Sequence, residues 1–210
     1  MDSKPLIAEF AGTFGLVFVG AGAVAVGSGG LVGVALAHGL ILTVIVAALG
    51  STSGAHVNPA VTLAVWIRNE ISSSMAIAYW VVQVLGAVVA ALVLRFVLGG
   101  AGSGLGATTL GSVTQTQGVV IEGVLTFFLA TAVLRTAVRK TLGDAGPLVI
   151  GLTLAAAILM GGPLTGASLN PARTLGPAIA TGNFADLWVY LAGPALGAGL
   201  SALLDWSLER

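Results

Sequence analysis

Ser53-Gly54-Ala55-His56-Val57-Asn58-Pro59-Ala60-Val61-Thr62-Leu63 returns 112 residues later as Thr165-Gly166-Ala167-Ser168-Leu169-Asn170-Pro171-Ala172-Arg173-Thr174-Leu175. In both copies small residues lead into Asn-Pro, and a helix-compatible run follows. Proline suits the first position of a helix, where its missing N–H has no partner to lose. Asparagine just before it is among the strongest N-caps. Each phrase therefore reads as irregular backbone feeding the positive end of a short helix. One Asn-Pro-Ala is a commonplace helix start. Two in matching context, one in each half of the chain, are a duplicated device.

The surroundings of the phrases are apolar. Of 210 residues, 57% are hydrophobic and 8% charged, whereas about a quarter of a soluble domain is charged. Eight Lys/Arg and eight Asp/Glu cannot cover an aqueous surface of this size, so the chain reads as integral to a lipid bilayer. The zero net charge offers no footprint for nucleic acid. With no cysteine, disulfides, thiol catalysis and thiolate metal sites are excluded. No nucleophile–base pair or metal-ligand cluster stands out, so the reading is of no enzyme, no metal and no cofactor.

A helix needs about 20 apolar residues to cross a ~30 Å hydrocarbon core. Spans are expected at about 6–26, 32–49, 75–98, 119–138, 147–160 and 187–204. The first is too long for a signal peptide and takes part in the internal repeat. Half-helices of about 58–67 and 170–180 follow the second and fifth spans. The uncharged Gly/Ser/Thr-rich stretch 99–118 is expected to be a long connecting loop, with Trp66, Trp80, Trp188 and Trp206 as interfacial anchors.

The repeat extends past the two phrases. Glu9-Phe10-Ala11-Gly12-Thr13-Phe14 answers Glu122-Gly123-Val124-Leu125-Thr126-Phe127, the two Glu lying 49 and 48 residues before their Asn. Gly39-Leu40 and Gly151-Leu152 each begin 19 residues before theirs. Three spans per half is an odd number, so the second half must insert upside down. The division is 1–105 and 106–210, two repeats of one all-α membrane domain. Lys4, Arg68, Arg135, Arg139, Lys140 and Arg210 fall on one side, against Arg95 and Arg173 on the other, which places both termini in the cytoplasm. A half-helix of about ten residues covers ~15 Å and stops near the midplane. Non-helical backbone at that depth is tolerated only inside protein or along a water-filled path, so the phrases must meet within the bundle.

Six spans, paired Asn-Pro-Ala phrases, Arg173 after the second, and Glu9 and Glu122 in spans 1 and 4 resemble the aquaporin (major intrinsic protein) family over essentially the whole chain. The resemblance implies six transmembrane helices plus two re-entrant half-helices in an inverted 3+3 repeat. It also implies a homotetramer with one pore per subunit, a passive channel for water that excludes protons and ions. Asn58-Pro59-Ala60 and Asn170-Pro171-Ala172 would form the pore centre, the two Asn donating to molecules in single file. Carbonyls of Gly54, Ala55, His56, Gly166, Ala167 and Ser168 would line the path. The family's outer filter falls on His38, Ile158, Ala167 and Arg173, a combination similar to plant vacuolar-type members, some of which pass ammonia. Thr174 stands where glycerol-conducting members carry Asp. Tyr190-Leu191 only half meets the aromatic pair frequent in water channels. The expected location is the cell (plasma) membrane, with the lipid bilayer, further copies of the chain, water and small neutral solutes as partners.

Other readings of the same residues stand beside these. Glu9 and Glu122 are ionisable groups inside spans, which invites a transport role. Their symmetric placement favours support of the irregular backbone, whose unpaired amides are costly at membrane depth. His38 alone on an apolar span would more often be a satisfied core residue, and His56 could be a packed loop residue. A glycerol or small-polyol facilitator, an ion-coupled secondary transporter built on broken helices, and a scaffold with a closed pore are the competing functions.

Overall fold

The computed structural model describes residues 2–209 and is helical throughout its regular elements. In chain order these are α1 (Ser3–Ala25), α2 (Gly30–Ser53), α3 (Pro59–Ile67), α4 (Ser73–Val97), α5 (Gln115–Val133, continued by a π turn at Leu134–Val138), α6 (Gly146–Thr165), α7 (Pro171–Thr181) and α8 (Leu187–Leu208). Six are long and apolar enough to cross a membrane, and α3 and α7 are the half-helices of the inverted repeat. At 1.5 Å per residue, the nine residues of α3 reach about 14 Å, half a bilayer core.

Three boundaries differ from the sequence-based expectation, each for a local reason. The fifth helix starts at Gln115, inside the stretch expected to be loop. There Thr114 accepts from Gln117 N while the Gln117 side chain accepts from Thr114 N, a capping box that starts a helix in polar sequence. The sixth helix continues past residue 160 through Pro163 to Thr165, whose hydroxyl donates to Glu122 Oε1 at 2.7 Å. The second helix likewise runs on to Ser53, whose hydroxyl donates to Glu9 Oε1 at 2.7 Å. Nor is 99–118 a free connector. A 3-10 turn at Gly104–Gly106 carries the fully buried Leu105 back against α1.

Packing follows the pseudo-two-fold. The α1–α4 contact is repeated by α5–α8, the α3–α8 contact by α4–α7, and α2 meets α6 on the axis. At that crossing a Cβ on Gly39 would lie 2.6 Å from Gly151 O, and one on Gly151 would lie 2.3 Å from Gly39 O. No larger residue fits at either position without parting the helices, the close approach that small residues permit in membranes. The outward faces are apolar, with Leu36, Leu40, Val44, Leu92, Phe128 and Leu200 exposed, as a bilayer-embedded body requires.

Charge gathers at one end. Buried Asp205 accepts from Arg68 Nε at 2.9 Å, Arg139 Nη2 at 2.8 Å and Arg135 Nη1 at 3.3 Å, with Glu70 and Glu209 on the rim of the cluster. Hydrogen bonding to Asp205 holds the Arg139 guanidinium above the usual arginine range. At the opposite end Arg95 Nη1 donates to Ala180 O at 2.9 Å, next to the last residue of α7. Arg210, counted with the basic residues of the first group, lies outside the described residues.

Trp80 corrects the expectation of interfacial anchors. Its Nε1 donates to Pro59 O at 3.0 Å, and it lines an apolar recess with Pro59, Pro171 and Ala195. It sits beside the half-helix tips because the Pro59 carbonyl gives its indole N–H a partner at that depth. Trp66, Trp188 and Trp206 are exposed.

Candidate functional site

The two phrases leave α2 and α6 through Gly54 and Gly166 and then adopt a backbone rarely seen outside glycine. Ala55 and Val57 have φ of 46° and 42°, and Ala167 and Leu169 have 45° and 54°. Left-handed geometry costs a non-glycine residue about 1–2 kcal/mol, so something must hold it. Glu9 and Glu122 are placed to do so. Glu9 accepts from His56 N at 2.9 Å and Val57 N at 2.6 Å, and Glu122 from Ser168 N at 2.9 Å and Leu169 N at 2.7 Å. Both carboxylates are fully buried. Each thus satisfies two amides that no water could reach.

Each Asn then works in two directions. Asn58 Oδ1 accepts from Ala60 N at 2.8 Å, and Asn170 Oδ1 from Ala172 N at 3.0 Å and Arg173 N at 3.3 Å, so both cap their half-helices. Their amide groups cross the axis, Asn58 Nδ2 donating to Leu169 O at 2.9 Å and Asn170 Nδ2 to Val57 O at 2.8 Å. A side-chain amide carries two N–H donors, so one on each Asn stays available. The half-helix starts are thereby locked together, positive end to positive end.

The carbonyls divide into two sets. Val57 O and Leu169 O are taken by the Asn pair, and Ser53 O and Thr165 O accept from Tyr79 OH at 2.8 Å and Tyr190 OH at 2.7 Å. Between them the carbonyls of Gly54, Ala55, His56, Gly166, Ala167 and Ser168 accept no hydrogen bond among the described residues. Six acceptors, three per phrase, are thus unclaimed.

A narrow central cavity of about 20 Å3 is bordered by His38, Ala55, His56, Asn58, Ser168, Asn170 and Arg173, room for one or two water centres. It shares His56 with a larger cavity of about 560 Å3 near Lys140 and Asp144, and Arg173 with one of about 310 Å3 that includes Ile158 and Gly166. The layout is two wide mouths and a tight middle.

His38 and Arg173 both border the central cavity, Arg173 at the end it shares with the cavity of about 310 Å3. His38 Nδ1 lies 2.9 Å from Val34 O, which can only accept, so Nδ1 carries hydrogen. In that neutral tautomer Nε2 presents a lone pair, and it is buried without a partner. Arg173 Nη1 donates to Gly106 O at 2.6 Å, while its Nε has none. His38 Nε2 is therefore left as an acceptor, and Arg173 Nε, with the guanidinium N–H groups not given to Gly106, as donors. Ile158 borders the cavity of about 310 Å3 beside Arg173, whereas Ala167 is buried and borders none of the three cavities. His56 Nδ1 lies 3.1 Å from Thr62 Oγ1, and its ring stands edge-on to Tyr79 with centroids 5.2 Å apart.

Sequence reasoning missed four contributors. Tyr79 and Tyr190, 21 and 20 residues after Asn58 and Asn170, clasp the exits of α2 and α6, and that matched spacing was a usable signal. Gln83 donates to Glu9 Oε2 at 2.8 Å and to Thr62 at 3.0 Å. Gly106 supplies the carbonyl on Arg173. Neither has a counterpart in the other half, so the repeat could not reveal them.

A family model described as Major intrinsic protein matches residues 2–205. Probable aquaporin TIP2-1 of Oryza sativa subsp. japonica is 41% identical over 96% of this chain and 86% of its own length. Aquaporin TIP2-2 of Zea mays is 42% identical over 96% and 85% respectively. The X-ray structure of the aquaglyceroporin from Plasmodium falciparum superposes with a TM-score of 0.88 at 27% identity, covering 98% of this chain and 96% of that one.

Proposed function

We propose how this chain, which belongs to the major intrinsic protein family and is a passive transmembrane channel for water rather than an enzyme, chooses among solutes: it passes water in single file and neutral ammonia as well, and it rejects ions. The observation that carries this reading is the pair of unpartnered buried atoms, His38 Nε2 and Arg173 Nε, on residues that border the central cavity. A passing molecule must supply one donor for His38 and one acceptor for Arg173. Water and ammonia both do so. Ammonia also loses fewer strong hydrogen bonds beside Ile158, which offers none.

Along the rest of the path, the six free carbonyls accept from the molecule in transit and the spare N–H of Asn58 and Asn170 donates to it. A water oriented with its oxygen toward two donors cannot relay a proton onward in the same file. Each half-helix start carries about half a positive charge, and Arg173 adds a full one, so hydronium and ammonium are repelled.

Arg173, His38, Ile158 and Ala167 are read as the filter, and Glu9 and Glu122 as support for the strained phrases. Homotetramer assembly is part of the reading, supported by family membership and tested by cross-linking in detergent. So is the placement of both termini in the cytoplasm, which the gathering of Arg68, Arg135 and Arg139 at one end supports. The cell membrane was the expected location, yet the filter's likeness to plant vacuolar-type members pulls toward a vacuolar membrane. Membrane fractionation decides between them. A second reading, glycerol conduction, draws on the Plasmodium structural neighbour. Thr174 opposes it, since its hydroxyl is committed to Ser168 and Thr108.

The test is osmotic shrinkage and internal pH in proteoliposomes given water, glycerol or ammonia gradients. Water flux should be fast and indifferent to a proton gradient, and ammonia flux should exceed that of protein-free vesicles. Ile158→His and His38→Phe should each lower the ammonia-to-water ratio. Ammonia flux at the lipid baseline with water flux intact defeats the ammonia reading.

A further inference from the structure

Leu105, Gly106 and Thr108 form a built support for Arg173 from outside the pore. Leu105 is fully buried among Val17, Ala21, Leu94 and Ala172. Gly106 follows at φ 69°, and a Cβ there would stand 2.1 Å from Ala21 O, so glycine alone brings this backbone so close to α1. Its carbonyl accepts from Arg173 Nη1 at 2.6 Å. Two residues on, Thr108 Oγ1 meets Thr174 Oγ1 at 2.9 Å, and Thr174 follows Arg173 in α7. Thr108 is buried, and a Cβ on Gly166 would lie 3.2 Å from its Cα, so the segment is also wedged against the second phrase.

We infer that Thr108 is a positioning residue for the filter: its hydroxyl pair with Thr174 holds the Gly106 carbonyl in register with the Arg173 guanidinium and so sets the aperture. The physical need is plain. A guanidinium carries five N–H donors, and among the described residues the Arg173 side chain finds a hydrogen-bond acceptor only in Gly106 O. A cavity of about 310 Å3 opens beside it, into which the group can swing once that carbonyl shifts. Gly106 has no side chain with which to fix itself to α7. The tie between loop and helix start falls to Thr108. This inference rests on the reading of Arg173 as the selectivity group.

The experiment measures the ratio of glycerol to water permeability in proteoliposomes. Thr108→Val keeps the shape and removes the hydroxyl, and the ratio should rise about fivefold, the factor expected for one net hydrogen bond lost. Thr108→Ser should restore the wild-type ratio. In an Arg173→Val background, Thr108→Val should add nothing, since both act through one group. A role confined to folding would lower both permeabilities together, leave the ratio fixed and overturn the inference, as would failure of serine to restore it. If Arg173→Val moves the ratio and Thr108→Val does not, this inference alone falls. If Arg173→Val leaves the ratio unchanged, the reading of Arg173 falls and this one with it. Should Thr108→Val fail to insert, Thr174→Val severs the same pair from the other side and must raise the ratio too.

Discussion

The two halves of this channel share a scaffold and differ in what they show to the solute. Glu9 and Glu122, Asn58 and Asn170, Tyr79 and Tyr190, and Ala55 and Ala167 occupy equivalent places and make equivalent bonds. Applying the 112-residue offset to the proposed filter gives a different result: Ile150 answers His38, and Val61 answers Arg173. Both apolar residues border the central cavity, as their polar counterparts do. In the proposed orientation the inner half is therefore lined by carbonyls, hydrocarbon and the His56 imidazole, and the outer half adds a cation and a second imidazole. Duplication built a conduit, and its local divergence built a selective one. The supports diverge as well. Gln83 braces Glu9, while the equivalent place in α8 carries Pro194, which braces nothing on Glu122.

The largest effect should come from the shared scaffold. Glu9→Ala or Glu122→Ala strands two backbone amides and a hydroxyl at membrane depth, at a cost of about 3 kcal/mol or more. Each should abolish most folded protein, read as the yield of monodisperse material after detergent extraction. Normal yield from either variant would break the claim that both halves depend on their carboxylate.

Next in size is making the outer half a copy of the inner one. His38→Ile with Arg173→Val removes the only side-chain charge and the only imidazole at the outer constriction. Exclusion of glycerol and protons should weaken about tenfold or more, corresponding to at least ~1.4 kcal/mol of barrier, while water still flows. Unchanged solute selectivity by stopped-flow would place discrimination in the shared scaffold.

A smaller, more local contrast uses mercurials. The native chain has no cysteine and should be insensitive. Ala167→Cys should confer inhibition from the outer side, and Ala55→Cys from the inner. Inhibition of both from the same side would contradict the inverted placement of the phrases.

The smallest effect tests the unequal bracing. Gln83→Leu removes two hydrogen bonds that the second half lives without, so the variant should fold and conduct. Its Tm should fall by only a few degrees, as ~1 kcal/mol does in a domain of this size. Complete loss of folded protein would show that the halves are less alike in stability than their shared bonds imply.

Much of this was legible in the chain. Repetition betrays a scaffold, because a geometry used twice needs the same residues twice: Asn-Pro to cap a half-helix, Glu to hold amides, Gly39 and Gly151 to let α2 and α6 touch. Apolar length sets the number of spans, since the bilayer thickness is given from outside. Helix ends were less readable. Gln115 begins a helix through a capping box in polar sequence, and Pro163 fails to end one because Thr165 is drawn to Glu122. Tertiary structure alone decided how the unrepeated residues act. Leu105 and Gly106 look like part of a pliant connector until burial against Val17 and Ala21 brings one carbonyl to Arg173. Trp80 looks like an anchor until its indole finds Pro59 O. Local pattern can encode what a residue does to its own helix. Which distant group it meets is set only when the helices pack.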